Sequence, residues 1–163
     1  MLLRSDRIRK ELAGLDPAAP AAAPYRRGIY RLEATEQTYA ALLGHAGALL
    51  ARGESVVLDA SWSDPAHRRA AGNLAADAYA DLVELRCIAP AAVADERLRH
   101  RSRSGDPSDA DPAVAAAMAA DFAAWPSALP VDTSGPLSDS LDTALSAVLR
   151  AGLPTLVAAG RCS

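Results

Sequence analysis

Lysine is almost absent from this chain: Lys10 is the single lysine among 17 basic residues. Aromatic side chains are also scarce, at 4% of the sequence with one phenylalanine. The arginine and alanine bias reads as a coding background, so an arginine by itself carries no functional meaning. Cysteine is limited to Cys87 and Cys162. Two isolated thiols without metal-ligand spacing exclude a disulfide framework and a cysteine-built zinc site, and they point to a reducing cytoplasm. No apolar run reaches the ~20 residues that a membrane span needs. The most apolar stretch, 113–125, is interrupted by Asp121. At the N-terminus, Arg4 arrives before a signal-peptide apolar region could form. A net charge of −3 argues against a general nucleic-acid or anionic-membrane partner, because neither is drawn to an acidic protein.

What remains is 163 residues, half of them apolar, enough for one packed domain. About a quarter of the chain is alanine, so burial per residue is thin and the core is expected to be built from small side chains.

Short β-like runs alternate with helical patterns along the chain. Leu2-Leu3-Arg4 reads as a strand tail. A helix follows over 6–13, with Ser5 or Asp6 placed to cap it and Gly14 to end it. Residues 17–24 contain only Pro and Ala and read as an extended connector. The stripe Tyr39, Leu42, Leu43, Ala46, Leu49 and Leu50 predicts a helix over 33–52. Ser55-Val56-Val57-Leu58-Asp59 predicts a buried strand ending in a carboxylate. Asp64-Pro65 predicts the next helix start, with Asp64 as N-cap and Pro65 at the first position. Residues 82–88 and 129–132 read as further strands; Pro90 opens a helix that ends in the Arg-rich, Gly-containing segment 100–107, and 112–124 and 137–150 read as helices. Strands separated by helices imply βαβ units, a mostly parallel sheet and an α/β fold.

Three clusters could carry chemistry, since residues at the carboxyl ends of parallel strands line the ligand crevice of such sheets. They are the segment from Arg4 to Arg9, the segment from Asp59 to Trp62, and the basic run from Arg97 to Arg103. Two strand-end carboxylates with an arginine segment suit phosphoryl transfer. One carboxylate takes a hydroxyl proton, the other holds the water shell of Mg²⁺, and arginines neutralise the transferring group. Each feature also has a plainer reading. Asp6 could cap a helix, Asp59 could start a turn, the arginine run could be a solvated helix face, and Trp62 could pack under the turn. His45, His67 and His100 fall on different elements without metal spacing. Asp132-Thr133-Ser134-Gly135-Pro136 reads as a turn and helix cap, or as a loop that binds a base.

The order of these motifs resembles a family. Leu3-Arg4-Ser5-Asp6-Arg7-Ile8-Arg9-Lys10-Glu11-Leu12, Gly28-Ile29-Tyr30, Val56-Val57-Leu58-Asp59-Ala60-Ser61-Trp62, and Glu96-Arg97 through Ala110 together resemble the P-loop kinase module. The group is the AAA-type one that includes gluconate kinase, zeta toxin and polynucleotide kinase. The likeness extends to bacterial proteins that fuse an aminoglycoside-phosphotransferase-like domain to such a module. It covers about residues 2–150.

By position, the resemblance implies that Asp6 is the acceptor-site carboxylate and that Arg9 contacts the acceptor or its phosphate. It implies that Asp59 lies near Mg²⁺, that Arg97 and Arg101 are lid arginines with Arg103 as an alternative, and that Asp132 and Thr133 pass near the adenine. ATP and Mg²⁺ are the implied cofactors, and a small-molecule or nucleotide hydroxyl is the implied acceptor. The family's Gly-x-x-x-x-Gly-Lys-Ser/Thr loop does not occur in the sequence, and with it go the backbone phosphate cradle and its lysine. The resemblance therefore implies a three-layer P-loop fold over 1–151 without its first strand, loop and first helix, followed by a tail over 152–163. In the family that first strand is central, so the edges of two flanking strands are expected to be open. Met1 is then expected to be an internal start, or the missing segment to come from a second chain. The chain alone is expected to lack kinase activity, and a non-catalytic structural or regulatory domain is the alternative.

Overall fold

A computed structural model describes residues 1–17, 28–104 and 112–152, with the side chains of 101–104 and 112–115 excepted. In chain order the elements are β1 (Leu2–Arg4), α1 (Ser5–Leu12), a 3-10 turn (Gly28–Tyr30), α2 (Leu32–Leu50), β2 (Val57–Asp59), α3 (Pro65–Asp77), β3 (Leu85–Ile88), α4 (Ala91–Ser104), α5 (Pro112–Ala120), β4 (Leu129–Asp132) and α6 (Leu137–Ala151). The alternation expected from the sequence is present, and both strand pairs are parallel. The Pro/Ala connector lies almost wholly outside the described residues, as does the tail beyond Gly152.

The chain divides into two compact units, Met1–Ala80 with Pro90–Trp125, and Asp81–Ala89 with Pro126–Ser163. In the first unit β1 pairs with β2 in the register Leu2 to Val57, Leu3 to Leu58 and Arg4 to Asp59. Helix α2 carries the core. Tyr39, Leu42 and Ala46 are buried on one stripe, and Ile8 and Trp62 close the cluster from α1 and the loop after β2. The cluster is built on large side chains, Ile8, Tyr39, Leu42 and Trp62, and not on the small ones expected from the alanine content. A Cβ on Gly47 of α2 would stand 3.3 Å from Leu74 Cδ1 of α3, so glycine permits that crossing.

One local expectation needs correction. Helix α1 begins one residue early: Arg4 occupies the N-cap in extended conformation, Ser5 is already helical, and no side chain caps the turn. Its inward face is polar, burying Ser5, Arg9 and Lys10 beside Ile8. The sole lysine is among the most completely buried side chains described. At α3 the sequence signal holds, with Asp64 Oδ1 accepting from the Ala66 N–H at 2.7 Å and Pro65 at the first turn.

In the second unit β3 pairs with β4, from Leu85 opposite Leu129 to Ile88 opposite Asp132, and α6 returns along β4. Val131 is the buried apolar residue here. Leu137, Leu141, Leu145, Val148 and Leu149 are all at least half exposed. Cys87, expected within an apolar run, is exposed on β3. Among the described residues each sheet has two strands.

Candidate functional site

The strongest constellation lies at the carboxyl ends of β1 and β2. Parallel pairing places Arg4 directly beside Asp59, and the Arg4 Nε donates to Asp59 Oδ2 at 3.1 Å. The pair is substantially solvent-exposed, so its attraction is screened and each group remains available to a ligand. Asp6 sits one turn further along, in the first turn of α1.

Arg9 is turned inward. Its Nη1 donates to the Ile29 carbonyl and to Thr35 Oγ1, both at 3.2 Å, and its guanidinium lies 4.9 Å from the Tyr30 ring centre. Burial pulls the Arg9 pKa down from its ordinary value, and the fields of Tyr30, Asp6 and Tyr39 oppose that shift. Guanidinium still carries its charge across the neutral range. The Arg9 Nε is buried with no hydrogen-bond partner, an uncompensated donor beside Tyr30 and Asp6.

After Asp59 the chain turns sharply. Trp62 has φ +52°, a left-handed conformation uncommon outside glycine. Two side chains hold it, one of them backed by His67. The Tyr39 hydroxyl accepts the Trp62 N–H at 3.0 Å and shares a hydrogen bond of 3.2 Å with Ser61 Oγ. The His67 ring stacks on the Tyr39 ring, centroids 3.7 Å apart and planes 8° apart. His67 Nε2 lies 3.1 Å from Glu36 Oε1. On the other side, Arg68 Nε donates to the Trp62 carbonyl at 2.6 Å. Trp62 is therefore a packing residue under the turn, as its plainer reading held, edge-on to Tyr39.

Arg97 lies exposed on α4 and has an interaction partner. Arg101 continues the same helix, but its side chain and that of Arg103 lie outside the described residues. Asp132 ends β4 in the second unit and Thr133 follows it. Asp132 Oδ1 accepts from the Ser134 N–H at 2.8 Å and from Ser134 Oγ at 2.7 Å, while the Thr133 hydroxyl donates to the Ile88 carbonyl at 3.1 Å. The expected cap on α6 is corrected: Pro136 is its N-cap and no side chain caps it. Asp132 instead closes the turn that precedes the helix.

Pairing thus joins Asp59 to Arg4, a residue that the sequence offered without a role. Tyr39 and Arg68 were not legible as site residues either. Tyr39 looked like one more member of an apolar helical stripe, and Arg68 like one more arginine in a biased composition. Among the described residues no group of three or more His, Cys, Asp or Glu could hold a metal by itself. One exposed strand-end carboxylate does fit Mg²⁺, which keeps most of its waters and takes its remaining oxygens from phosphates. No described helix is long and apolar enough to cross a membrane.

Comparisons with known proteins bear on the family of this fold. The family described as AAA domain matches residues 1–125. Two uncharacterized proteins, Rv2004c of Mycobacterium tuberculosis (strain ATCC 25618 / H37Rv) and Mb2027c of Mycobacterium bovis (strain ATCC BAA-935 / AF2122/97), are each 39% identical over 117 residues. The match takes in 72% of this chain and 23% of each relative, so the chain spans about a quarter of their length. No solved structure matches. The chain belongs to the AAA domain family, and the matched region is a P-loop kinase-like, nucleotide-binding module.

Proposed function

We propose that this chain forms part of an ATP-binding phosphotransferase, whose complete form moves the γ-phosphoryl group of Mg-ATP to a hydroxyl of a small molecule or nucleotide. The observation that carries this reading is the Arg4–Asp59 pair at adjacent parallel strand ends, in a chain of a nucleotide-binding family. Asp59 would hold the water shell of Mg²⁺, and the metal would neutralise charge on the β- and γ-phosphates. Asp6 would accept the proton of the attacking hydroxyl. Arg9, with its unpartnered Nε, would orient the acceptor. Arg97 and Arg101 would approach the transferring phosphoryl group from α4, and Asp132 and Thr133 would line the base.

The phosphate-cradling loop is not among these residues, so the purified chain is proposed to bind Mg-ATP weakly and to turn none over. The test is a titration of the chain with Mg-ATP followed by Trp62 fluorescence, with Asp59→Asn as control and phosphate release measured in parallel. Saturable quenching lost in Asp59→Asn supports the reading. Equal behaviour of the two proteins refutes it, and turnover above the Asp59→Asn level refutes the inactive half.

A second reading is favoured by one specific observation. Leu137 and Leu149 of α6 are 73% and 67% exposed, on a helix whose leucines recur at helical spacing. A partner-complemented, non-catalytic domain would bury that face against another segment or a second chain. Co-purification with a fragment carrying a Gly-Lys-Ser/Thr loop would support this reading, and a monodisperse monomer with unchanged stability on adding that fragment would count against it.

A further inference from the structure

The guanidinium of Arg68, on α3, makes four hydrogen bonds to backbone carbonyls. Four backbone carbonyls from two distant stretches of chain converge on it. Nε donates to Trp62 O at 2.6 Å and Nη2 to Ser63 O at 3.0 Å, both in the loop that follows Asp59. Nη1 donates to Ala124 O at 2.8 Å and Nη2 to Ala123 O at 2.8 Å, both in the segment that follows α5. The rings of Phe122 and Trp125 lie 4.9 and 4.7 Å from the guanidinium carbon. The two stretches also touch directly, through Ala123 N–H to the Ser63 carbonyl at 3.3 Å. Arg68 itself is 8% exposed.

A planar fork suits this task, because it can hold carbonyls on two sides with fixed angles, and a lysine ammonium cannot. The staple is placed between two functional parts. One end grips the left-handed turn at Trp62, three residues beyond Asp59. The other end grips the chain where it leaves α5, and α5 lies against α4, the helix bearing Arg97. A rigid link of this kind transmits displacement, since packed interiors shift as units and do not deform smoothly.

We infer that Arg68 is a positioning residue that couples occupancy of the Asp59 site to residues 121–125, so that a phosphate-bound metal beside Asp59 stiffens the chain where it leaves α5. This rests on the nucleotide reading above. The coupling runs through the turn at Trp62, which Tyr39 holds from one side and Arg68 from the other, into residues 121–125. Arg68 touches neither metal nor phosphate; it ties the turn beyond Asp59 to the chain that leaves α5.

The test is hydrogen exchange on the full chain with and without Mg-ATP, read separately over 60–63 and over 112–125. Wild-type protein is expected to gain protection in both windows. Arg68→Lys is expected to keep the gain over 60–63 and to lose it over 112–125. Phe122→Leu, which leaves the four carbonyl contacts in place and weakens only one ring face, covers the case in which Arg68→Lys does not fold; partial loss over 112–125 is expected from it. Protection confined to 60–63 in wild type, or retained over 112–125 in a folded Arg68→Lys, overturns the coupling and leaves nucleotide binding standing. No protection over 60–63 in wild type overturns both.

Discussion

Arg4 and Asp59 are register partners in a two-stranded parallel ladder, and their side chains meet at 3.1 Å where both strands end. The guanidinium occupies one carboxylate oxygen that a metal's water shell would also use, so pairing and metal binding compete. Arg4→Gln is therefore expected to strengthen Mg-ATP binding by a few-fold, and Asp59→Asn to abolish it. Both substitutions should leave stability within about 1 kcal/mol, because exposed ion pairs are weak. Calorimetric titration and denaturant unfolding separate the two effects, and a weaker Mg-ATP affinity in Arg4→Gln would assign Arg4 to phosphate binding.

Tyr39→Phe removes the oxygen that accepts the Trp62 N–H and contacts Ser61. The ring, its stack on His67 and its edge contact with Trp62 remain possible. Leaving a buried N–H unpaired costs about 1–3 kcal/mol, and the left-handed turn loses one of its two clamps. The expected result is a loss in that range on urea unfolding, together with a change in tryptophan emission before the transition. A variant as stable as wild type, with identical emission, would show that the turn does not depend on this hydroxyl.

Arg9→Lys keeps the charge and loses the fork. The Ile29 carbonyl and Thr35 hydroxyl lose a shared donor, and the face of Tyr30 loses a guanidinium. A loss of about 1–3 kcal/mol is expected by thermal or denaturant unfolding. Burial lowers the Arg9 pKa, so folding disfavours its charged form; the group stays protonated across the neutral range, and that cost should not vary with pH there. A stability difference between wild type and Arg9→Lys that changed between mildly acidic and mildly alkaline buffer would contradict this assignment.

Leu141→Gln with Leu145→Gln tests the open face of α6. Both positions are at least half exposed, so the double variant should change stability by no more than about 0.5 kcal/mol per site. Binding of a hydrophobic dye and self-association in sedimentation should both decrease. A large loss of stability at low protein concentration would instead place these leucines inside a packed interior.

Local chemistry made much of this molecule legible from sequence. Helix α3 starts where Asp64-Pro65 places it, because a capping carboxylate followed by a residue with fixed φ has few other uses. The run ending at Asp59 forms a strand with a parallel partner, as the alternation of strands with helices implies, but Val57 and Asp59 are exposed and the strand is not the buried one expected. The alanine content misled about the core, which gathers on Ile8, Tyr39, Leu42 and Trp62. Helix α1 was harder to read: the position of its first turn and its inward polar face depend on what packs against it, and Arg9 and Lys10 are buried because α2 and the 3-10 turn cover them.

The sequence alone determined the α/β class, the placement of nearly every element, and a short set of charged residues at strand ends, since periodicity and capping act over a few neighbouring residues. Only the tertiary structure decided which of those residues meet. Arg4 finds Asp59 across 55 positions of chain through strand register. Arg68 finds Ala123 and Ala124 across a similar distance because backbone carbonyls, which no sequence pattern marks, must be hydrogen-bonded when buried. In a chain so poor in aromatics and so rich in arginine, that difference separates a compositional arginine from one that holds two stretches of the fold together.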